Sequence, residues 1–224
     1  MTFSILAQDP DSGRMGGAAA TGSLCVGGWV LRGDIRAGMS ACQGAAPSTF
    51  WGEDVLAAMR RGATAPVAVA EVIAPDRGRE WRQLTALDRK GGTGGHSGSD
   101  NTDWKGHHGF DHGIVAGNML AGPAVLKALA RGFMDSTGPL HARLMAALLA
   151  AETAGGDIRG LKSAAILVVG PDMAPLSLRV DLSDRPLAAL ETLLLRATSG
   201  DYARWAAQVP CLDDPHRRLT DHDQ

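Results

Sequence analysis

The chain has 224 residues, 45% hydrophobic and 21% charged, which excludes general disorder and leaves enough apolar material for a sizeable core. A formal net charge of −2 lacks the basic footprint of a nucleic-acid binder or of a protein held on an anionic membrane, so neither partner is expected. Cys25, Cys42 and Cys211 have no C-x-x-C spacing and make no disulfide framework.

The first element begins at once. In TFSILAQ, Phe3, Ile5 and Ala7 alternate with Thr2, Ser4 and Leu6, the pattern of a strand with two different faces. Thr2 and Ser4 then point the same way, about 7 Å apart. DPDSG reads as a turn and GRMGGAAAT as a returning strand of small residues; SLCVGGWVL and DIRAGMSACQ read as two more strands. PSTFWGEDVLAAMRRG changes period: Val55, Leu56 and Met59 share a helical face, with Ser48 or Thr49 at the start and Gly62 at the end. TAPVAVAEVIAP reads as a second helix that stops near Pro75.

EWRQLTALDRKGG alternates again. The segment 91–113 has almost no apolar residues and reads as a surface excursion after a short strand near His96. IVAGNML returns to the sheet, and Gly122 and Pro123 open a helix striped by Val125, Leu126, Leu129 and Phe133. A further helix carries Leu140, Leu144 and Leu148 and ends on Gly155. SAAILVVG and LSLRVDLS give a last strand pair, and RPLAALETLLLRA and DYARWAAQ give terminal helices. Residues 213–224 read as a frayed tail on a single domain spanning 1–224. Blocks of strands and helices, without βαβ alternation, predict an α+β fold with antiparallel sheets. The longest plainly apolar stretch, AAILVV, is far short of the roughly 20 residues that span a bilayer. With no basic segment leading into an apolar one at the start, no secretory signal is read and a cytoplasmic location is expected.

Thr2 carries the sharpest chemistry. A small residue after Met1 permits removal of that methionine, leaving a threonine whose own α-amine can act as base for its hydroxyl. Asn118 stands polar at the end of an apolar strand, where its amide can donate to a developing oxyanion. Asp157 and Arg159 sit between a helix stop and a strand, placed to orient the amine or to bind a substrate carboxylate. Gln43 and Ser163 are polar residues at strand boundaries, and Cys42, with no base near it in sequence, reads as a packed thiol. His96, His107, His108 and His112 share an excursion with Asp100, Asp103 and Asp111, but no metal-ligand spacing is present, so no metal and no cofactor is expected. Each feature also fits a structural role: a strand's first residue, a turn asparagine, a loop ion pair, a solvated polar loop.

Taken in order, TFSILAQDPDSGRMGGAAATG, CQG, REWRQLTALDRKG, HSG, GNMLAGPAVL and AGGDIRGLKSAAILVV resemble the family known as domain of unknown function 1028. The resemblance runs from Thr2 to about residue 196, and the histidine-rich excursion departs from the family pattern by its length and polarity. It implies a four-layer αββα sandwich of the Ntn (N-terminal nucleophile) hydrolase-like kind, whose enzymes cleave amides through an acyl-enzyme. It implies catalytic positions at Thr2, Asn118, Asp157 and Arg159, substrate contacts at Ser4, Gln43, His96 and Ser163, a small amide substrate, and a homodimer or higher homo-oligomer. A non-catalytic metabolite-binding or scaffold protein of the same fold, and a metal-dependent hydrolase using the His/Asp loop, stand as alternatives.

Overall fold

A computed structural model describes residues 2–219. Two antiparallel sheets and seven helices make up a mixed α+β structure among these residues. The larger sheet has six strands: β1 (Thr2–Gln8), β2 (Met15–Thr21), β7 (Gly106–Phe110), β8 (Gly113–Asn118), β9 (Ser163–Gly170) and β10 (Met173–Val180), in the order β10-β9-β2-β1-β8-β7. The smaller has four, β3 (Leu31–Asp34), β4 (Gly38–Gly44), β5 (Arg82–Asp88) and β6 (Thr93–Ser97), in chain order. The helices are α1 (Val26–Trp29), α2 (Thr49–Arg60), α3 (Ala65–Ile73), α4 (Ala124–Met134), α5 (Leu140–Thr153), α6 (Pro186–Ala197) and α7 (Gly200–Ala206). None is long and apolar enough to cross a membrane.

Strand alternation sorts the side chains into three apolar groups. Phe3 and Ile5 of β1, with Ala18, Val115 and Ile166, pack under Leu126, Leu129, Leu144, Leu148 and Leu190 of α4, α5 and α6. The opposite parity on the same strands gives Leu6, Met15, Ala19 and Ile114, which meet Met39, Ala41 and Leu87 of the smaller sheet. The far face of that sheet, through Cys42, Leu84 and Ala86, receives Trp51, Val55, Met59 and Val69 of α2 and α3. A fully buried Leu or Phe contributes roughly 1.5–3 kcal/mol by leaving water. The abundant glycine lets the sheets approach: a Cβ at Gly17 would come within 2.8 Å of Leu6 Cδ2 and 3.1 Å of Leu31 Cδ2.

Three segments depart from the sequence reading. SLCVGGWVL is not one strand; it folds as α1 followed by the short β3. Cys25 adopts a left-handed φ of 60°, its N–H donates to Asp181 O at 3.0 Å, and the Val26 N–H donates to Ser163 Oγ at 3.1 Å. Tertiary hydrogen bonds thus wind a β-prone stretch into a turn of helix. The polar excursion contains β7, which pairs with β8 from Gly106↔Gly117 to Phe110↔Gly113. Its partner supplies the ladder, so no apolar alternation is needed to mark it. At the C-terminal side, Asp213 N–H donates to Pro171 O and Arg217 Nη1 to Ala207 O, both at 2.9 Å. The remainder of the expected tail, 220–224, and Met1 lie outside the described residues.

Candidate functional site

The space between the sheets changes character along its length. Towards the start of β1 the apolar contacts give way to Thr2, Ser4, Thr21, Gln43, Gln83, Asn118 and Ser163, every one of them buried. The register explains the gathering: Thr2 pairs with Asn118, Thr21 with Ser163, and Gln43 with Gln83. Strands that alternate faithfully bring their polar ends to one place.

These groups form a connected chain of hydrogen bonds. The Ser4 hydroxyl donates to Gln43 Oε1 at 2.8 Å, while Gln43 Nε2 donates to Thr2 O at 3.2 Å and to Gln83 Oε1 at 3.1 Å. Asn118 Nδ2 donates to the same Gln83 oxygen at 2.7 Å. Gln83 Nε2 in turn reaches Gly117 O at 2.8 Å, Ser97 Oγ at 2.9 Å and Gly106 O at 3.3 Å, and Ser97 Oγ lies 2.8 Å from His107 Nδ1. Burial makes each pairing matter, since an unpaired amide there costs about 1–3 kcal/mol. Burial also lowers the His107 pKa, with the neighbouring His96 and His108 adding to it, so the neutral imidazole is favoured.

A cavity of about 490 Å³ opens on this end. Thr2, Thr21, Gln43 and Asn118 form its polar part, Arg159 stands at its side, and Leu24, Val26, Trp29, Pro47 and Met119 give apolar wall. The Thr2 hydroxyl donates to Thr21 Oγ1 at 3.3 Å. Two wall segments hold non-glycine residues at positive φ, Cys25 at 60° and Met119 at 54°. Such backbone persists only where the surroundings enforce it. Met119 is enforced by its N–H bond to Thr102 O at 2.9 Å.

Of the expected catalytic positions, Thr2, Asn118 and Arg159 line this cavity, and Asp157 stands behind it. The Asp157 side chain is fully buried: Oδ2 accepts the Gly22 N–H at 2.6 Å and Arg159 Nη2 at 3.1 Å, and Oδ1 accepts the Arg159 backbone N–H at 2.8 Å. It therefore anchors both the segment after Thr21 and the Arg159 guanidinium. Of the expected substrate contacts, only Gln43 lines the cavity. Ser4 lies beneath Thr2 with its hydroxyl committed to Gln43. Ser163 is committed too, donating to Ser23 O at 2.8 Å and accepting from Val26, so it shapes the wall. His96 lies elsewhere, its Nε2 3.0 Å from Arg79 O and its ring edge-on to Trp51.

Gln83 was missed in the sequence, although a glutamine at an inward position of RQLTALD was a visible polar interruption. Thr21, Asn101 and Thr102 were missed as well. Buried Asn101 accepts the Ala45 N–H at 2.9 Å and donates to Arg82 O and Gly98 O, holding the segment that contributes Ala45 to the wall.

Cys42 faces away, towards α2; burial pushes its thiol up to about 11, so it stays protonated. Among the described residues no group of three or more His, Cys, Asp or Glu side chains is placed to hold a metal ion. A larger cavity of about 980 Å³ lies between α2, β3 and residues 210–215. Its Arg32 pairs with Glu53 at 2.8 Å and its Arg60 pairs with Asp34, and among the described residues none of its lining is a buried polar side chain. The smaller cavity is the candidate site.

The model of DUF1028, a family of unknown function, matches residues 2–190. The chain belongs to this family. It is similar to protein SPO2555 from Silicibacter pomeroyi, a DUF1028 protein with a crystal structure, at 55% identity and a TM-score of 0.95. That similarity covers 98% of this chain and 96% of the other. No curated protein matches the chain. The DUF1028 match takes in every residue of the polar network and the whole cavity lining.

Proposed function

We propose that the chain is an Ntn-type amidohydrolase acting on a small amide in the cytoplasm, with Thr2 as nucleophile, and that its two sheets and flanking helices form the four-layer αββα sandwich of that superfamily. The observation that carries this reading is the position of Thr2: it opens a central strand, and its hydroxyl side faces a cavity shared with Asn118 and Arg159.

The chemistry requires removal of Met1. The freed α-amine then takes the proton of Thr2 Oγ as the oxygen attacks the substrate carbonyl. The carbonyl oxygen, now negative, takes the second N–H of Asn118 Nδ2, the first being held by Gln83. Collapse breaks the C–N bond, the α-ammonium returns its proton to the leaving amine, and water hydrolyses the acyl-threonine by the same relay. Asp157 holds Arg159 at the rim, where its charge orients the substrate.

An electrophilic β-lactone probe, followed by intact mass, tests the reading. The expected result is one adduct per chain on protein lacking Met1, mapped to Thr2, and none on protein carrying an uncleavable N-terminal extension. No adduct and no turnover of an amide panel by the processed chain would leave a ligand-binding protein of the same fold. We also propose a homo-oligomer, since Phe50, Leu182 and Leu195 are 76%, 67% and 65% exposed. Light scattering that finds only a 23.3 kDa species at micromolar concentration would remove that part.

A further inference from the structure

The orientation of the Asn118 amide is set from behind. Gln83 is fully buried, and its Nε2 faces the carbonyl oxygens of Gly117 and Gly106, which can only accept. Reversing Gln83 would set oxygen against oxygen, so Oε1 must face Gln43 and Asn118, and both must answer with N–H. Gln43 agrees independently: its own oxygen accepts from Ser4 and its nitrogen donates to Thr2 O. Asn118 therefore points its nitrogen at Gln83. Its carbonyl oxygen accepts from none of the described residues and is left to the cavity that Asn118 lines.

We propose that Gln83 is a positioning residue that offers the Asn118 carbonyl to the ligand, so that the cavity selects ligands with an N–H donor: primary and secondary amides over esters and tertiary amides. This rests on the cavity being the ligand site, and it adds an acceptor to the donor role given to Asn118 above. A ligand with no N–H to offer leaves the Asn118 oxygen without a ligand partner and forgoes the worth of that one hydrogen bond.

Chemical shifts of the isotopically labelled, processed protein, titrated with N-methylacetamide, N,N-dimethylacetamide and methyl acetate, test this without turnover. The expected result is about five- to tenfold tighter binding of N-methylacetamide, the worth of one neutral hydrogen bond. Asn118→Asp, protonated where it meets Gln83, keeps an oxygen facing the cavity and should keep the preference. Asn118→Leu should abolish it, and Gln83→Met, if folded, should reduce it to below about twofold by letting the amide turn. Equal binding of the three probes, survival of the preference in Asn118→Leu, or loss of it in Asn118→Asp would overturn the proposal. Thr2→Ala separates the two readings. Should it keep the preference while wild-type protein forms no β-lactone adduct, the hydrolase reading fails and this one stands. An adduct without the preference leaves the hydrolase standing and removes the selection for N–H donors.

Discussion

At one end of the space between the sheets stand Leu6, Met15, Met39, Leu87 and Ile114; at the other, on the same strands and the same faces, stand Thr2, Thr21, Gln43, Gln83 and Asn118. The backbone geometry is shared, so the difference lies in what each end demands of its side chains. The apolar end is held by area and volume, which tolerate a substitution of similar size. The polar end is held by specific donors and acceptors, whose partners leave the Asn118 carbonyl oxygen to the cavity, and an isosteric change that reverses one amide disturbs the rest. Apolar packing is concentrated at one end and the candidate site at the other.

The largest expected effect separates the ends outright. Thr2→Ala should abolish adduct formation and turnover while leaving the melting temperature nearly unchanged, and Thr2→Ser should retain part of the reactivity. Leu6→Ala, at a site with no exposure, should cost about 3–5 kcal/mol in denaturant unfolding and leave β-lactone labelling of the folded protein intact. If Leu6→Ala silenced labelling at full stability, the division between the ends would be wrong.

Asp157→Ala should cost about 2–3 kcal/mol, below the range for a fully buried pair because the Arg159 side chain is 41% exposed, and it should slow labelling by loosening the cavity rim. Urea titration and labelling rate read the two effects separately. The smallest effect is the pH dependence. The His107 pKa is lowered in the folded state, chiefly by burial, so the unfolded chain binds more protons once the pH drops below the ordinary histidine range near 6.5. Stability should fall as pH falls through that window towards the lowered value and be flat above it. His107→Gln should flatten part of the slope, with His108 and His141, lowered in the same direction by burial, supplying the rest.

Much of the fold was legible because period two and period 3.6 are local properties. The alternation of Phe3, Ile5 and Ala7 against Thr2, Ser4 and Leu6 is the division between helix-facing and sheet-facing groups in the structure. What escaped was decided by distant partners: α1 by Asp181 and Ser163, and β7 by the ladder it shares with β8. The site divided in the same way. Thr2, Gln43, Asn118 and Arg159 meet at one cavity, whereas His96 does not, because β6 lies at the edge of the other sheet and turns that ring towards Trp51. Gln83 escaped because a single glutamine in a strand carries no motif; its weight comes from four strands, β4, β6, β7 and β8, closing on it.

The pairing of β1 on both edges reaches into how the molecule opens. The first strand of a chain usually frays, and its amide hydrogens exchange with solvent early. Here residues 3–8 are laddered to β2 on one side and residues 2–7 to β8 on the other. To release them, the six-stranded sheet must split through its middle, an event close to global unfolding. β1 is thus among the last parts of the molecule to admit solvent, and its amide hydrogens should exchange on the timescale of global opening.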